Sequence, residues 1–590
     1  MSFNRYFERE MVALRTLGRE FAERNPALAA FLATPGRDPD VERILEGFSF
    51  LSGRLWQKLD DELPEITHGL FNLLWPHYLR PIPSGTVLQF KPTANISKAV
   101  SVNKGTRVES DPVEGTRCTF TTTSDTEILP IELTDLSFIT KHGEAIMALN
   151  FRTIGTAVNN VPLRVLRFFL TGESAIVHTL YYALVRKVKC VRMVMYDQDR
   201  KEHVLGELGQ EYMQPAGFSP DEALYPYPPN AFPGYRILQE YFCFPEKFHF
   251  VELSGLAHGF NAEKTALAGK KNEFSLHVAL RDLPENFESF TAANIRLFCT
   301  PAVNLFQKSA TPINMDHKQT EYRIVPDPRL PYHFSTYSVL RVESWSHEWK
   351  GDREFKPFES FEHVGGEEGT GAYYRLRIRP SINDDCIETY ISLVDRDKAA
   401  EAFLNQTVSL ELLCTNRLLT LSLGVGDISS AADNMDAALN FKNITPVTPP
   451  YSPPLDGDIL WRLLSNMALN YIPLNSLEAM KGIVATYDFR AVHDSRRART
   501  LANTLQGMTG ICTVETDRIY HGLPVRGSRT QLILNQRKFS CEGEMFLFAS
   551  ILNEFLALYA TVNSFHQLIV REEKSGEEYL WPARLGGQRL

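Results

Sequence analysis

Hydrophobic residues recur at helical spacing over the first part of the chain. Asp38 can cap a helix that Pro39 opens. Inside that helix, one apolar face is formed by Val41, Ile44, Leu45, Phe48, Leu51, Leu55 and Leu59. The preceding segment carries a similar stripe at Phe3, Phe7, Leu14, Leu17 and Phe21. We therefore expect a helical N-terminal region over residues 1–85, whose helices pack on each other or on another subunit.

After residue 85 the hydrophobic period shortens towards two. Segments such as TVLQF, RCTFTTT and IELTDLSFI are rich in β-branched residues and are separated by turn formers. This pattern predicts a β-rich domain over 86–200. It also predicts a second β-rich region over 201–442, with a loop rich in proline and tyrosine at 212–235.

The last part of the chain begins with a change of composition. The run NITPVTPPYSPPLDGD indicates a proline-rich connector over 443–458. Beyond it, ILWRLLSNMAL opens a mixed helix and hairpin C-terminal domain over 459–590, and the hairpin turns near Gly576. The expected fold class is α+β and multidomain, with a helical N-terminal region, a β-rich middle and a mixed α/β C-terminal domain.

Charge and composition exclude several classes of protein. With 62 Lys and Arg against 71 Asp and Glu, the net charge of −9 gives no general attraction to nucleic acid or anionic lipid. Charges throughout the N-terminal segment argue against a secretory signal. The apolar stretch Met545–Val562 holds Asn553 and Glu554 at its centre, so we expect a buried soluble helix rather than a membrane span. Eight scattered cysteines without a CxxC pair fit a reducing, cytoplasmic location.

Motifs of common enzymes and of nucleotide or metal sites are missing from the sequence. There is no GxSxG, HExxH, GxxxxGK[ST] or EF-hand pattern. The GVG at 424–426 lacks a third glycine at the right offset and is predicted to be a strand-ending turn. The pairs Asp60–Asp61 and Asp384–Asp385 point successive side chains in different directions, and His249 and His363 stand singly. We therefore predict no catalytic residue, no cofactor and no metal site.

Two features could belong to a surface that binds another protein. Arg496, Arg497 and Arg499 form the tightest arginine cluster, which is either a solvated face or a docking point for an acidic partner. The loop ALYPYPPNAFPGY, with Tyr225 and Tyr227, offers rigid aromatic area suited to partner binding. The alternative for the loop is that it folds against its own domain.

Several blocks, spread in order over nearly the whole chain, resemble the TssF/VasA family of baseplate subunits of bacterial type VI secretion systems. These blocks are DPDVERILEGFSFL, HYLRPIPS, GYRILQEYFCFPEKFHF, FCTPAVNLF, EYRIVPDPR, LCTNR and VNSFHQL. The segment KGTRVESDPVEGTRCTFTTTSDTEILP is also similar to the strand pattern of phage baseplate J-like proteins. The resemblance implies a fold similar to the wedge proteins of contractile phage tails.

The same resemblance implies a cytoplasmic, non-enzymatic scaffold that docks at the inner-membrane complex during assembly and serves contractile effector delivery. The partners it implies are a TssG-like wedge subunit, a second TssF copy, a TssK-like adaptor, a TssE-like sheath linker and a VgrG-type spike hub. We expect the N-terminal stripes to bundle with helices of the TssG-like partner, so the candidate residues there are Phe3, Phe7, Leu14, Val41 and Phe48.

The block GYRILQEYFCFPEKFHF (234–250) sets the charged residues Glu240, Glu246 and Lys247 among six Tyr and Phe residues. Alternating aromatics predict a strand and its turn in a domain core, with the three charged side chains held in buried pairs. An active site needs a further group, and none is evident. Two other functions stay open at this point, a carboxylate-dependent hydrolase and a free-standing ligand-binding β protein.

Overall fold

Helices occupy the first part of the chain and the end, and strands occupy most of the rest. The computed structural model describes residues 4–24, 39–60, 64–93, 96, 98–141, 143–196, 202–227, 233–259, 272–284, 287–315, 319–345, 353–358, 372–381, 384, 386–395, 407–433, 435–436, 438–455, 476–520, 522–560 and 564–586. The described residues form two units, one made of the helices before Arg80 and the other containing all the sheets.

The helices, in chain order, are α1 (Asn4–Arg24), α2 (Pro39–Asp60), α3 (Pro64–Leu74), α4 (Ser174–Arg186), α5 (Gly234–Cys243), α6 (Leu256–Gly259), α7 (Leu477–Thr486), α8 (Phe489–His493), α9 (Ser495–Gly507) and α10 (Glu542–Ala557). Helix α2 begins at Pro39, as predicted. Nearly all of α10 is buried, including Asn553, and Glu554 forms an ion pair with Arg584. Among the described residues, no helix combines the length and the apolarity that crossing a membrane requires.

The strands of the first half are β1 (Gly85–Pro92), β2 (Val100–Val102), β3 (Arg107–Val113), β4 (Thr116–Thr122), β5 (Thr126–Ile128), β6 (Ile131–Lys141), β7 (Glu144–Thr153), β8 (Leu166–Leu170), β9 (Val188–Tyr196), β10 (Glu202–Gly209), β11 (Met213–Pro215), β12 (Phe250–Leu253), β13 (Glu273–Leu280), β14 (Ile295–Leu297) and β15 (Cys299–Val303). Those of the second half are β16 (Phe306–Ser309), β17 (Ile313–Asn314), β18 (Tyr322–Arg323), β19 (Ser335–Trp345), β20 (Arg353–Glu354), β21 (Lys356–Pro357), β22 (Ala372–Pro380), β23 (Ile387–Asp395), β24 (Thr407–Thr415), β25 (Ile428–Ala431), β26 (Leu439–Asn443), β27 (Met508–Tyr520), β28 (Leu523–Leu534), β29 (Phe565–Glu572), β30 (Glu578–Leu580) and β31 (Arg584–Leu585).

A six-stranded sheet in the order β25-β3-β4-β15-β1-β26, which we name the central sheet, joins distant parts of the chain. Its strand β1 pairs antiparallel with β15 on one side and with β26 on the other. The segment after β26 continues along β1, where Ile444 N donates to Val87 O and Thr448 N donates to Gly85 O, both at 2.9 Å. The proline-rich run therefore begins as part of this sheet region, while residues 456–475 lie outside the described parts.

Two further sheets lie between β6 and β14. One has the order β10-β9-β13-β7-β6 and the other β11-β12-β8-β14. Strands β9 and β10 lie on either side of residue 200 and pair with each other through a bulge near Gly206. A small ribbon of β2 and β5 completes this half of the chain.

The described residues between 306 and 415 fold into a two-sheet sandwich, which we name the arm. One sheet has the order β16-β24-β19-β20, with β17 also on β24, and the other has the order β18-β23-β22-β21. Alternate side chains of the strands face each other in a common core that includes Ile324, Val342, Tyr374, Ile391 and Leu412. Both ends of the arm join the central sheet region, after β15 and after β24.

The C-terminal sheet has the order β27-β28-β29-β30, with β31 also on β29. The hairpin from β29 to β30 turns near Gly576, as predicted, and Gly576 takes a positive φ of 71° there. The GVG segment at 424–426 is also a turn before β25, in which Gly424 N donates to Asp427 Oδ2 at 2.7 Å. The segment is therefore a turn, as predicted, but it leads into a strand and does not end one.

Candidate functional site

The block at 234–250 is a helix followed by a short turn and a strand. Residues Gly234–Cys243 form α5, Pro245–Phe248 form a single 3-10 turn, and β12 starts at Phe250. The prediction of a strand for the first half is therefore wrong. Nearly every residue of α5 is buried, so this helix has no solvent-exposed face. Hydrophobic and aromatic residues therefore occur on all its sides, and the sequence shows no helical alternation of apolar and polar positions.

Glu240 lies at the centre of a buried charge cluster, which we define as Arg236, Glu240 and Lys247. Its Oε2 accepts from Arg236 NH1 at 3.1 Å and from Lys247 Nζ. Its Oε1 accepts from the backbone N of Leu224 at 2.8 Å. All three charged side chains are almost completely shielded from solvent. The cluster therefore ties together α5, the 3-10 turn after it and the loop before it.

A second ion pair supports the same loop. Arg167 NH1 lies 2.5 Å from Glu222 Oε1, and Glu222 Oε2 accepts from Gly217 N at 2.8 Å. Gly217 has a φ of 93°, and a Cβ there would lie 2.4 Å from the carbonyl oxygen of Lys247. The tight approach at this glycine lets the loop close over the charge cluster.

Burial and charge act in opposite directions on Lys247. Burial lowers the pKa of the Lys247 ammonium to about 8, while the neighbouring Glu240 carboxylate favours its protonated form. Because the cluster is shielded from solvent, its carboxylate is closed to an external molecule in this structure. Its geometry is that of a buried network that fixes one arrangement of three segments.

Glu246 does not join this cluster. Burial raises the pKa of its carboxyl, and the charges of Arg490 and Arg497 lower it by a smaller amount. Its Oε2 is buried and has no hydrogen-bond partner among the described residues. The expected pairs therefore form for Glu240 and Lys247 but not between these two residues and Glu246.

The aromatic residues of α5 join the middle of the chain to its C-terminal helices. Tyr235 stacks on Tyr487 with ring centroids 4.9 Å apart, and its hydroxyl lies 3.0 Å from that of Tyr559. Tyr241 packs against Phe548 of α10 at 6.2 Å. These contacts stabilise the fold by more than the burial of their apolar area alone, because tilted and offset rings attract each other.

Residues 223–227, the first part of the tyrosine-rich loop, fold against their own domain, while residues 228–232 lie outside the described parts. Tyr225 is only 5% exposed, which removes its ring from any surface that a partner could reach. The expectation that Tyr225 binds a partner is therefore wrong in this structure. Leu224 and Tyr225 are both buried, and the hydrogen bond from Leu224 N to Glu240 holds this part of the loop in the core. Tyr227 is half-buried, and burial raises the pKa of its phenol.

The arginine cluster lies on the surface. Arg496, Arg497 and Arg499 are exposed in the first turns of α9, whose N-terminus is capped when Asp494 accepts from Arg496 N at 2.8 Å. The positive charges lie at the N-terminal end of the helix, where the helix dipole disfavours them. Both interpretations of this cluster, a solvated face and a docking point, are compatible with its position.

The helices α1 and α2 approach each other closely at Gly53 and leave an apolar face outside. A Cβ on Gly53 would lie 3.2 Å from Phe7 N, and Arg15 pairs with Glu42 at 2.9 Å. Phe7 and Leu14 are half-buried in α1. Phe3 and the side chain of Val41 lie outside the described parts of the chain.

The outer face of α2 carries four large side chains, spaced four, three and four residues apart, which we name the α2 stripe. They are Ile44, Phe48, Leu51 and Leu55, with exposed fractions of 71%, 55%, 64% and 64%. This spacing is that of the seam of a coiled coil. Four exposed side chains of this size on one helix face form an apolar surface of the kind that marks an interaction site.

Sequence reasoning missed two parts of the buried framework. Arg236 belongs to the charge cluster, and its position four residues before Glu240 was an available signal for a helix. Asp384, predicted only to be a poor member of an acidic pair, binds the buried Arg417 at 2.7 Å. Among the residues that the structure describes, no group of three or more His, Cys, Asp or Glu side chains is placed to hold a metal ion.

We expect Gly543→Ala to lower the free energy of unfolding by about 1–3 kcal/mol, which is the usual effect of overpacking. Gly543 lies in the first turn of α10 against α4, and its Cβ would come within 2.1 Å of the backbone oxygen of His178. Gly47→Ala is the matched control, since a Cβ at this helical glycine meets nothing within 4 Å. Thermal melting of both variants measures the difference, and equal melting temperatures would contradict the close packing of α4 on α10.

Acidification is expected to destabilise the protein through its buried histidines. Burial lowers the pKa of His566 to about 4, and its Nε2 lies 3.0 Å from Thr530 Oγ1. The unfolded state binds the proton below about pH 6.5, so stability falls between about pH 6.5 and 4, by about 2 kcal/mol at pH 5 for this group. In His566→Gln, the loss of melting temperature from pH 7 to 5 should be smaller. An unchanged loss would contradict the prediction, since other titrating groups such as Glu246 are present in both proteins.

Comparison with known proteins identifies the family. The model of the family described as Type VI secretion system, TssF matches residues 1–588. The type VI secretion system component TssF1 of Pseudomonas aeruginosa is 28% identical over 630 aligned positions, which cover 99% of this chain and 98% of that protein.

Two solved structures are also similar to this chain. A chain of a TssK-TssF-TssG baseplate subcomplex, solved by cryo-electron microscopy, matches 92% of this chain and all of its own length, with a TM-score of 0.75 and 29% identity. A chain of the baseplate complex from the type VI secretion system matches this chain and itself over their full lengths, with a TM-score of 0.66 and 26% identity. With matches of the family model, of a relative and of structures over nearly its whole length, the chain belongs to the TssF family of type VI secretion baseplate components.

Proposed function

We propose that this chain is a non-enzymatic scaffold subunit of a type VI secretion baseplate, and that it assembles with a TssG-like subunit through its N-terminal helices. The observation that carries the proposal is the α2 stripe. Its side chains lie at coiled-coil spacing on a helix whose opposite face already packs on α1, so the helix has a second apolar face to bury.

The chemistry of this surface favours a helical partner. An amphipathic helix laid along α2 meets its apolar anchors at successive turns, as in other helix-in-groove interfaces. The polar residues beside the stripe, such as Arg43 and Arg54, are exposed and can serve as a polar rim. The similar TssF chain was solved together with TssK and TssG, which supports partners of these two kinds for this chain.

Other parts of the proposal follow from the family. A second copy of this chain joins the same wedge, and a TssK-like adaptor, a TssE-like sheath linker and a VgrG-type spike hub surround it. The assembly lies in the cytoplasm and docks at the inner-membrane complex. The buried charge cluster supports a scaffold function rather than catalysis, since it fixes segments of the chain and is closed to substrates.

The experiment is size-exclusion chromatography with multi-angle light scattering on the full chain, alone and coexpressed with the TssG-like protein of the same source. The expected result is one complex with two copies of this chain for each TssG-like copy. A chain that elutes as a monomer and leaves the TssG-like protein in a separate peak would overturn the proposal. Coexpression with an unrelated helical protein is the control for nonspecific binding to the apolar stripe.

A further inference from the structure

The arm is joined to the central sheet region by two short connections that run side by side. The first is Asn304–Leu305, between β15 and β16, and the second is Asn416–Leu418, after β24. They are neighbours because Phe306 pairs with Cys414 in the first register position of β16 on β24. Two adjacent connections of this kind can bend together and let the arm tilt, unless hydrogen bonds hold their side chains and backbone.

The two asparagines bind each other and the central sheet. Asn416 N donates to Asn304 Oδ1 at 2.6 Å, and Asn304 Nδ2 donates to Asn416 Oδ1 at 2.8 Å. The backbone of Thr119 in β4 completes the network, because its oxygen accepts from Asn304 Nδ2 at 2.8 Å and its N donates to Asn416 Oδ1 at 3.1 Å. One residue of the central sheet is thus bonded to both connections at once.

Further bonds hold the connections on the side of the central sheet. Asn304 N donates to Ser84 O at 2.8 Å, and Thr121 Oγ1 donates to Leu305 O at 2.5 Å. The hydroxyls of Ser84 and Thr420 lie 2.7 Å apart. All these groups are buried or half-buried, so breaking one leaves a polar group without water.

Arg417 holds the second connection to the arm. It is 4% exposed, its NH2 binds Asp384, and its NH1 donates to Pro331 O at 3.2 Å. Its backbone takes a positive φ of 50°, which costs a non-glycine residue about 1 kcal/mol or more and persists only where the surroundings fix it. The strained residue lies directly after Asn416, where the chain leaves the arm.

From this geometry we infer that Asn304, Asn416 and Arg417 form a lock that fixes the orientation of the arm relative to the central sheet. The asparagines hold the two connections to β4, and Arg417 holds the second connection to the arm. The lock sets an angle inside one chain and acts separately from partner binding. Outside the lock, the arm also touches this region at other points, such as Thr116 with His333 and Arg80 over Tyr337.

The test is the distance between the arm and the central sheet, measured by pulsed electron paramagnetic resonance on the full chain. Spin labels are attached to cysteines at Val394 in β23 and Asn440 in β26, two exposed positions. The three cysteines that are not fully buried, Cys386, Cys512 and Cys541, are replaced by serine in every sample. We expect one narrow distance distribution for the otherwise unchanged chain.

The lock variant is Asn304→Asp, in which an oxygen replaces Nδ2 and faces the oxygens of Thr119 and Asn416. The matched control is Asn443→Asp. Asn443 is equally buried, and its Nδ2 also donates to two oxygens, those of Gly424 and Thr445, but it lies away from the arm connections.

We expect Asn304→Asp to broaden the distance distribution or shift it, while Asn443→Asp keeps the narrow one even if both variants melt earlier. A narrow, unshifted distribution in Asn304→Asp would overturn the lock, and so would equal broadening in both variants. Should either aspartate variant fail to fold, the pair Asn304→Ser and Asn443→Ser tests the same difference without a buried charge. Binding of the TssG-like partner, measured in parallel, reports separately on the proposed function.

Discussion

Replacing Glu240 by glutamine is expected to lower the free energy of unfolding by about 3–5 kcal/mol, the usual cost of breaking a buried ion pair by removing one partner. The substitution keeps the size and the acceptor of the side chain, so Leu224 N keeps a partner. What is lost is the negative charge between Arg236 and Lys247, and both cations are then buried without compensation. Thermal melting and urea unfolding of the full chain measure the effect.

The pH dependence of this variant provides a sharper test. Lys247 already has a pKa lowered to about 8, and without Glu240 it falls further, because the carboxylate favours the protonated form. The unfolded lysine titrates near its ordinary value of about 10.4, so the variant gains stability relative to the parent as the pH rises towards 8. The difference between the two proteins should therefore narrow with rising pH.

Two further variants serve as controls for the charge cluster. Glu273→Gln removes a carboxylate from an exposed pair with Arg152 and should cost less than about 1 kcal/mol. Adding Lys247→Met to Glu240→Gln removes one uncompensated cation and should recover part of the lost stability. If Glu240→Gln and Glu273→Gln have the same melting temperature, the charge cluster does not stabilise the fold.

The spacing of hydrophobic residues predicted the element type correctly where one face of the element carries exposed polar residues. The α2 stripe could be predicted because its apolar residues alternate with exposed polar ones at helical spacing. The same reasoning failed for α5, whose buried aromatics on all sides look like an alternating strand. There the better signal was the spacing of Arg236 and Glu240, which places opposite charges on one helix face.

Local sequence patterns could not predict which strands pair when the strands lie far apart in the chain. The central sheet places β1 between β15 and β26, although thirteen described strands separate β1 from β15 in the sequence and twenty-four separate it from β26. Asn304 and Asn416 are 112 positions apart, and an asparagine after a strand looks locally like any turn former. Their hydrogen bonds depend on the packing of the arm, so only the folded chain reveals them.

The exposed apolar residues of the α2 stripe are the proposed contact with the TssG-like partner. Leu51→Asp is therefore expected to weaken binding of this partner by about 100-fold or more. A well-packed interface residue contributes about 2–4 kcal/mol, and a charge buried at its place adds the cost of desolvation. Leu51 is already exposed in the free chain, so its stability should change by no more than about 0.5 kcal/mol. Phe48→Asp, one turn away on the same stripe, should act in the same way.

The matched control is Ile519→Asp, which makes the same kind of change at a side chain that is 82% exposed, near the end of β27. Titration of the partner into each full-length variant, followed by calorimetry, separates the two positions. Weak binding by Leu51→Asp with normal binding by Ile519→Asp supports the α2 stripe as the interface, because an added charge alone then has no effect. Normal binding by both Leu51→Asp and Phe48→Asp would show that the helical partner lies elsewhere.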